Sequence, residues 1–427
     1  MPNDLAAMVA ASPSVDSVHL GEGALQGAPA LIAHYAAGRP VLLVADENTA
    51  AAAAPLMGAF PAHVLKGRPA PTVVLARAIG EALGEAMPVA VGAGVINDVV
   101  RFAAFEAGRP FVSVATAASM DGYASAGAPL SEGGFKKTLQ CCAPVAIVAD
   151  TAVIARAPAR MGGWGFADVA GKIPAGGDWI LADGLGIEPI DDAAWPMVQG
   201  NLARWLADPD GILAGSPDAL AALTEGLIVS GLAMERHGSS RPASGADHQI
   251  AHLWEMEGLA HGGEKVSHGA CVAIGTLATL ALYDALLAMD FATLDPAAAA
   301  ARAPTMDDKR AEIEALLAPS LAGRALEETA AKHLAPAALA DRLRALKAVW
   351  PELRARLETH LPRREGVAAM LARAGAPVRA AEIGVDPARL LRTVRAARYL
   401  RSRYTILDLL TETGRFERAL PKVAAVS

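Results

Sequence analysis

The chain has 427 residues, 53% hydrophobic and 19% charged, with a formal net charge of −7. Such a composition excludes a disordered chain, and the length exceeds one ordinary compact core, so two domains are expected. The acidic balance argues against nucleic acid as a general partner. Three cysteines, Cys141, Cys142 and Cys271, make no disulfide framework and point to a reducing cytoplasm.

The start, MPNDLAAMVAASPSVDS, lacks a basic stretch ahead of its short apolar run, so no secretory signal is expected. Four short runs then read as buried parallel strands because they are apolar on both faces: 41–45 (VLLVA), 88–92 (PVAVG), 111–114 and 145–149 (VAIVA). Helical segments at 71–86 and 95–107 separate them. This βαβ repetition predicts a doubly wound α/β domain. Beyond about residue 156 the strand pattern stops, and 199–207, 217–236, 246–258, 268–290, 308–334, 336–361 and 387–402 have helical periodicity. The expected division is an α/β domain over 1–157 and an all-helical domain over 158–427, with the break near PARMGGWG. The apolar stretch 270–289 is long enough to span a membrane, but Asp284 interrupts it and no Lys/Arg flank follows. A buried core helix, and no membrane span, is the reading.

Strand 88–92 runs directly into Gly92-Ala93-Gly94 and a helix. A glycine pair at such a turn lets backbone N–H groups approach a pyrophosphate, although a plain tight turn needs the same residues. Asp46, ending the preceding strand, can hold an adenosine ribose hydroxyl or simply cap a helix; in the first role it favours NAD over NADP. The hydroxyl-rich stretch Thr116–Ser125 stands at a strand's carboxyl edge, where ligands bind in such folds, and equally fits a capping loop. Lys136 and Lys137 follow, solvated or turned to a phosphate. Five of the ten histidines fall between His237 and His268, with His248 and His252 one helical turn apart. Two imidazoles and a carboxylate such as Asp168 would leave a divalent metal with open positions, the pattern of a catalytic site. On spacing alone, helix-capping histidines on a polar surface fit as well.

The order GAGVINDVVRFAAFEAGRPFVSVATAASMDGYASAGAPLSEGGFKKT, GFADVAGK, RPASGADHQIAH and HGACVAIG resembles the sn-glycerol-1-phosphate dehydrogenases. These belong to the dehydroquinate synthase-like and iron-containing alcohol dehydrogenase superfamily. The late segment RSRYTILDLLTETG is similar to the bacterial branch. The resemblance covers about 35–290 and 398–414 and implies the following roles. Gly94, Val95, Ile96, Asn97, Asp98, Thr116, Ala117, Ala118, Ser119 and Ser125 match positions holding NAD or NADP. Asp121 matches a substrate contact, Asp168 a residue that binds metal and approaches substrate, His248 and His268 the other metal ligands, and His252 a substrate-contacting histidine. His261, in HGGEKV, imitates a ligand motif of related dehydrogenases, but His268 aligns better. Cys271, three residues beyond His268, raises a redox question.

The implied reaction is reduction of dihydroxyacetone phosphate to sn-glycerol 1-phosphate by a reduced nicotinamide, with zinc or nickel, iron being possible, as the Lewis acid. His252 is the expected orienting group and proton relay. Lys137 and Arg241 are the cations best placed for the substrate phosphate, whereas Arg389, Arg392, Arg395, Arg398 and Arg401 read as a solvated helix stripe. The rivals are a dehydroquinate synthase-like cyclase or lyase and a glycerol-type polyol dehydrogenase. The resemblance also implies a homodimer.

Overall fold

All four apolar runs become parallel strands in the computed structural model, which describes residues 4–132 and 135–427, the side chains of 135–137 excepted. In chain order the strands are β1 (Ser17–Gly21), β2 (Val41–Asp46), β3 (Ala62–Leu65), β4 (Met87–Gly92), β5 (Val112–Ala115), β6 (Gly127–Glu132), β7 (Phe135–Gln140) and β8 (Ala146–Asp150). Six of them form an all-parallel sheet ordered β1-β8-β5-β4-β2-β3, while β6 and β7 pair as an antiparallel hairpin. Side chains alternate between the faces. Leu43, Val89, Val91 and Val112 pack with Leu25, Ala28 and Ile32 of helix Ala24–Ala36. Val44 and Ala90 face Ile79 of helix Val73–Leu83 and Val99 of helix Gly94–Glu106 on the other side.

The sequence reading did not include β1, β3 or the hairpin. The first two are the sheet's edges, where one side needs no apolar cover, so SVHLG and AHVL lack the continuous hydrophobic run of an inner strand. From β2 the chain adds β3 outward, then returns to lay β4 on the opposite side of β2. The order therefore reverses between β2 and β4, and their carboxyl ends flank a topological switch point.

Two compact units interleave along the chain, unlike the single expected cut between 157 and 158. The first comprises Met1–Val169, Ala193–Ser240 and Arg373–Ala376; the second comprises Ala170–Asp192, Arg241–Ala372 and Pro377–Ser427. The stretch read as a break is instead a 26-residue helix, Ala159–Gly184, with seven glycines in its sequence. Glycine usually disfavours helix, so local composition misleads here. Close packing is what requires them. A Cβ on Gly165 would stand 2.1 Å from the Ala118 carbonyl oxygen, and one on Gly171 would stand 2.8 Å from Asp247 Oδ2 and 3.2 Å from His248 Cε1.

In the second unit, helices Ala246–Met256 and His268–Leu287 pack together. Helix Pro387–Ala397 runs antiparallel to the former: Trp254 Nε1 donates to Thr393 Oγ1 at 2.8 Å, and Arg389 and Arg392 reach Glu257 just past the far end. The expected helix 308–334 is two, Met306–Leu316 and Pro319–Lys332, because proline starts the second. By length and composition Pro217–His237 and His268–Leu287 could each cross a membrane, and both are mostly buried within the folded chain.

Candidate active site

In the first unit, β4 delivers Gly92 to the switch point, and helix Gly94–Glu106 starts two residues later. A Cβ on Gly94 would meet only the flexible Met120 side chain, at an ordinary 3.5 Å, so no backbone packs against this turn at that point. Val95 and Ile96 follow in the first helical turn. Asn97 and Asp98 point into the protein: Asn97 Oδ1 accepts from Ser113 Oγ at 2.9 Å, its Nδ2 donates to the Gly122 carbonyl at 3.3 Å, and Asp98 pairs with Arg101 at 2.9 Å. Arg101 is fully buried and also donates to the carbonyls of Gly122, Tyr123 and Gly127. It thereby pins the loop that carries Asp121 and Ser125. The sequence reading passed it over, although its i+3 spacing from Asp98 was visible.

Thr116 and Ser119 are buried at the carboxyl end of β5 with Ala117 and Ala118, and Tyr123 O–H donates to the Ala117 carbonyl at 2.5 Å. Ser125 Oγ accepts from Gly127 N at 3.0 Å. Asp46 caps the next helix, its Oδ1 accepting from Asn48 N at 2.9 Å and Thr49 N at 2.8 Å. Asp168, fully buried on Ala159–Gly184, accepts the Asp121 backbone N–H through Oδ2 at 2.9 Å, which ties the loop to the helix.

The second unit brings three of the five clustered histidines together. Ring centroids of His248, His252 and His268 lie 5.4–5.7 Å apart. His248 Nδ1 is 2.5 Å from Asp247 Oδ2, and His268 Nδ1 is 2.5 Å from Glu255 Oε1. A carboxylate only accepts, so each Nδ1 donates, which leaves Nε2 as the lone-pair atom. Asp247 is fully buried, and the Glu255 side chain is 8% exposed. Neither was singled out in the sequence. Burial holds the His252 imidazole well below its ordinary range; Glu255 opposes this, while His268, His248 and Arg401 reinforce it. His252 is thus a neutral group at physiological pH. His252, Glu255 and His268 also offer ligand atoms within 4.8 Å of one another. His261 lies apart, exposed in the small hairpin Ala260–His261/Glu264–Lys265.

Arg241, expected at a substrate phosphate, is fully buried. It donates to the carbonyls of Tyr404 at 2.9 Å and Asp178 at 2.8 Å and stands 3.3 Å from Glu188. Its guanidinium is engaged in joining three segments of the unit. Asp178 serves the same joint, accepting from Ala246 N, Tyr283 O–H and Ile406 N at 2.7–2.8 Å; burial pushes its carboxyl up to about 6. The side chain of Lys137 lies outside the described residues, though its backbone pairs with Leu130 in the hairpin. Cys271 is buried inside helix His268–Leu287 and is in no disulfide among the described residues.

A parallel sheet with a glycine turn at its switch point, followed by helices bearing a histidine cluster, defines a dehydroquinate synthase-like dehydrogenase fold. Residues 19–158 match the iron-containing alcohol dehydrogenase family. The glycerol-1-phosphate dehydrogenase [NAD(P)+] of Halalkalibacterium halodurans is 37% identical over 287 residues, 63% of this chain and 71% of that one. Its namesake from Geobacillus stearothermophilus is 33% identical over 325 residues, 76% and 71% of the two chains. A probable glycerol dehydrogenase from Sinorhizobium meliloti shares the fold with a TM-score of 0.64 at 18% identity, over 97% of this chain and 99% of that one. The chain belongs to the glycerol-1-phosphate dehydrogenase family of the iron-containing alcohol dehydrogenase superfamily.

Proposed function

We propose that this NAD(P)-dependent oxidoreductase reduces dihydroxyacetone phosphate to sn-glycerol 1-phosphate, reversibly, with Asp168, His248 and His268 holding one divalent metal ion. The observation that carries this reading is the pair of carboxylate–imidazole contacts. With Nδ1 of His248 and of His268 each donating to a carboxylate, both rings offer Nε2 to a cation, the arrangement metal-ligating histidines typically use. Asp168 stands one helical turn before Gly171, whose own backbone lies against His248, and it supplies the third, anionic donor. Such a donor set fits zinc, nickel or iron(II).

When bound, the ion supplies Lewis acidity toward the substrate carbonyl and the reduced nicotinamide supplies the hydride. The chain's own residues do the rest. The Gly94–Asp98 turn and Thr116–Ser119 receive the cofactor's pyrophosphate and nicotinamide ends, with Ser125 beside them and Asp46 at the ribose. Asp121, its backbone fixed to Asp168, holds a substrate hydroxyl. His252, kept neutral, orients the substrate and gives or takes the alcohol proton through a ring nitrogen. Lys137 is a candidate cation for the phosphate. A homodimer in a reducing cytoplasm completes the reading.

The test is a steady-state assay with dihydroxyacetone phosphate and with dihydroxyacetone, using NADH and NADPH, after loading with zinc or nickel. Stoichiometric NADH or NADPH consumption and a preference for the phosphorylated substrate are expected. Equal use of dihydroxyacetone would make the protein a polyol dehydrogenase. Cofactor recycling without net consumption would make it a lyase.

A further inference from the structure

We propose that Arg401, with Arg403 beside it, forms the subsite that takes the substrate's phosphate dianion next to the histidine cluster. The inference rests on the triose phosphate reading above and names the residues that would confer it. Five arginines at three-residue intervals run through helix Pro387–Ala397 and just beyond it, and four have anionic partners. Arg389 and Arg392 meet Glu257 at 2.9 and 2.7 Å, Arg395 meets Glu417 at 2.6 Å, and Arg398 meets Glu312 at 2.5 Å. Arg401 is half-buried and has no hydrogen bond or ion pair among the described residues. A solvated stripe does not explain this difference, because Arg401 is the one member both partly covered and unpaired.

Its location follows from the antiparallel helix pair. Thr393 stands opposite Trp254, and ten residues further along Arg403 Nη1 donates to the Ser244 carbonyl at 2.6 Å and to its hydroxyl at 2.7 Å. Arg401 therefore falls beside the first turns of Ala246–Met256, the helix that presents His248 and His252. The electrostatics agree. Arg401 lies near enough to His252 and to Arg403 for its charge to act on both, and it adds to the burial and the Arg241 charge that hold the Arg403 guanidinium down to about 10. Glu188 and Asp178 partly offset the charge of Arg403 as well as that of Arg241, and Glu255 pairs with His268, so the cation these carboxylates leave over is Arg401. What remains is the Arg401 guanidinium, without a carboxylate of its own among the described residues and beside the helix that carries His248 and His252, a charge complementary to a phosphomonoester. Guanidinium groups suit that ligand because their fork matches two phosphate oxygens.

The test compares wild type, Arg401→Ala, Arg401→Lys and, as a control on the same stripe, Arg395→Ala, all metal-loaded. For Arg401→Ala, KM for dihydroxyacetone phosphate should rise about ten- to hundredfold, the loss expected of one charge-assisted contact. KM for dihydroxyacetone, metal content and melting temperature should stay at wild-type values. Arg401→Lys should recover part of the loss, and Arg395→Ala should change neither KM. Calorimetric titration with glycerol 1-phosphate reads the same difference without turnover. A wild type that prefers the phosphorylated substrate alongside an unchanged Arg401→Ala overturns this inference alone. A wild type with no such preference overturns the triose phosphate reading, and the inference with it.

Discussion

Removing the carboxylates behind the two imidazoles should weaken metal retention while leaving every proposed ligand in place. Glu255 Oε1 lies 2.5 Å from His268 Nδ1, and Asp247 Oδ2 lies 2.5 Å from His248 Nδ1, in surroundings that admit little water. A hydrogen bond to a charged group contributes about 1.5–3 kcal/mol. That converts to roughly a ten- to hundredfold loss of metal affinity per site, the range found when such outer partners are removed elsewhere. Glu255→Ala should lose the full amount, and Glu255→Gln less, because its amide oxygen still accepts from Nδ1. Competition with a chromogenic chelator measures the affinity, and thermal melts of the metal-free proteins check that the fold survives. Asp247→Ala is the harsher case, since Asp247 Oδ1 also accepts from Gly245 N at 3.0 Å. Affinities within twofold of wild type for both alanine variants would refute the reasoning. Complete loss in Glu255→Gln together with full retention in Asp168→Ala would instead make Glu255 a direct ligand, within the His252–Glu255–His268 set.

Alanine in place of Asp168, His248 or His268 should abolish metal retention, whereas His261→Ala should not; elemental analysis of the four proteins decides this. Gly94→Val should weaken NAD(P)H binding by about tenfold or more, because a side chain there blocks backbone approach to the pyrophosphate. Metal content should be unaffected, and a fluorescence titration showing unchanged affinity would leave the glycine a structural turn only. Asp178, with its carboxyl raised to about 6, should titrate two units above an ordinary aspartate in a carbon-detected NMR titration. Because the folded value exceeds the unfolded one, its contribution to stability is fully present below about pH 4 and is lost as pH rises through about 6. A midpoint below 4 would contradict the burial argument.

Inner strands were legible because burial on two faces leaves an uninterrupted apolar run, as in VLLVA and VAIVA. Edge strands carry half that constraint, and SVHLG passes for loop. The histidine cluster was legible from the one-turn spacing of His248 and His252. Asp247 and Glu255 were not, since an acidic residue beside a histidine in sequence is indistinguishable from ordinary helix surface until burial is known. The arginine series shows the reverse error. Its three-residue period suggested a uniform solvated face, yet the partners, Glu257, Glu312 and Glu417, come from elements distant in sequence. Arg241 was singled out by its nearness to His248 along the chain, and its actual partners Asp178, Glu188 and Tyr404 come from segments far from it.

The glycines of helix Ala159–Gly184 bear on how this protein can be engineered. Exchanging a helical glycine for alanine is a standard way to raise thermal tolerance, worth about 0.5–1 kcal/mol where space allows. Gly165 and Gly171 invert that rule, for a methyl group at either would collide with the loop carbonyl of Ala118 or with the carboxylate that orients His248. A consensus or library approach guided by helix propensity would therefore target first the two positions where the chain has exchanged local stability for proximity, and would harm the site before it hardened the scaffold.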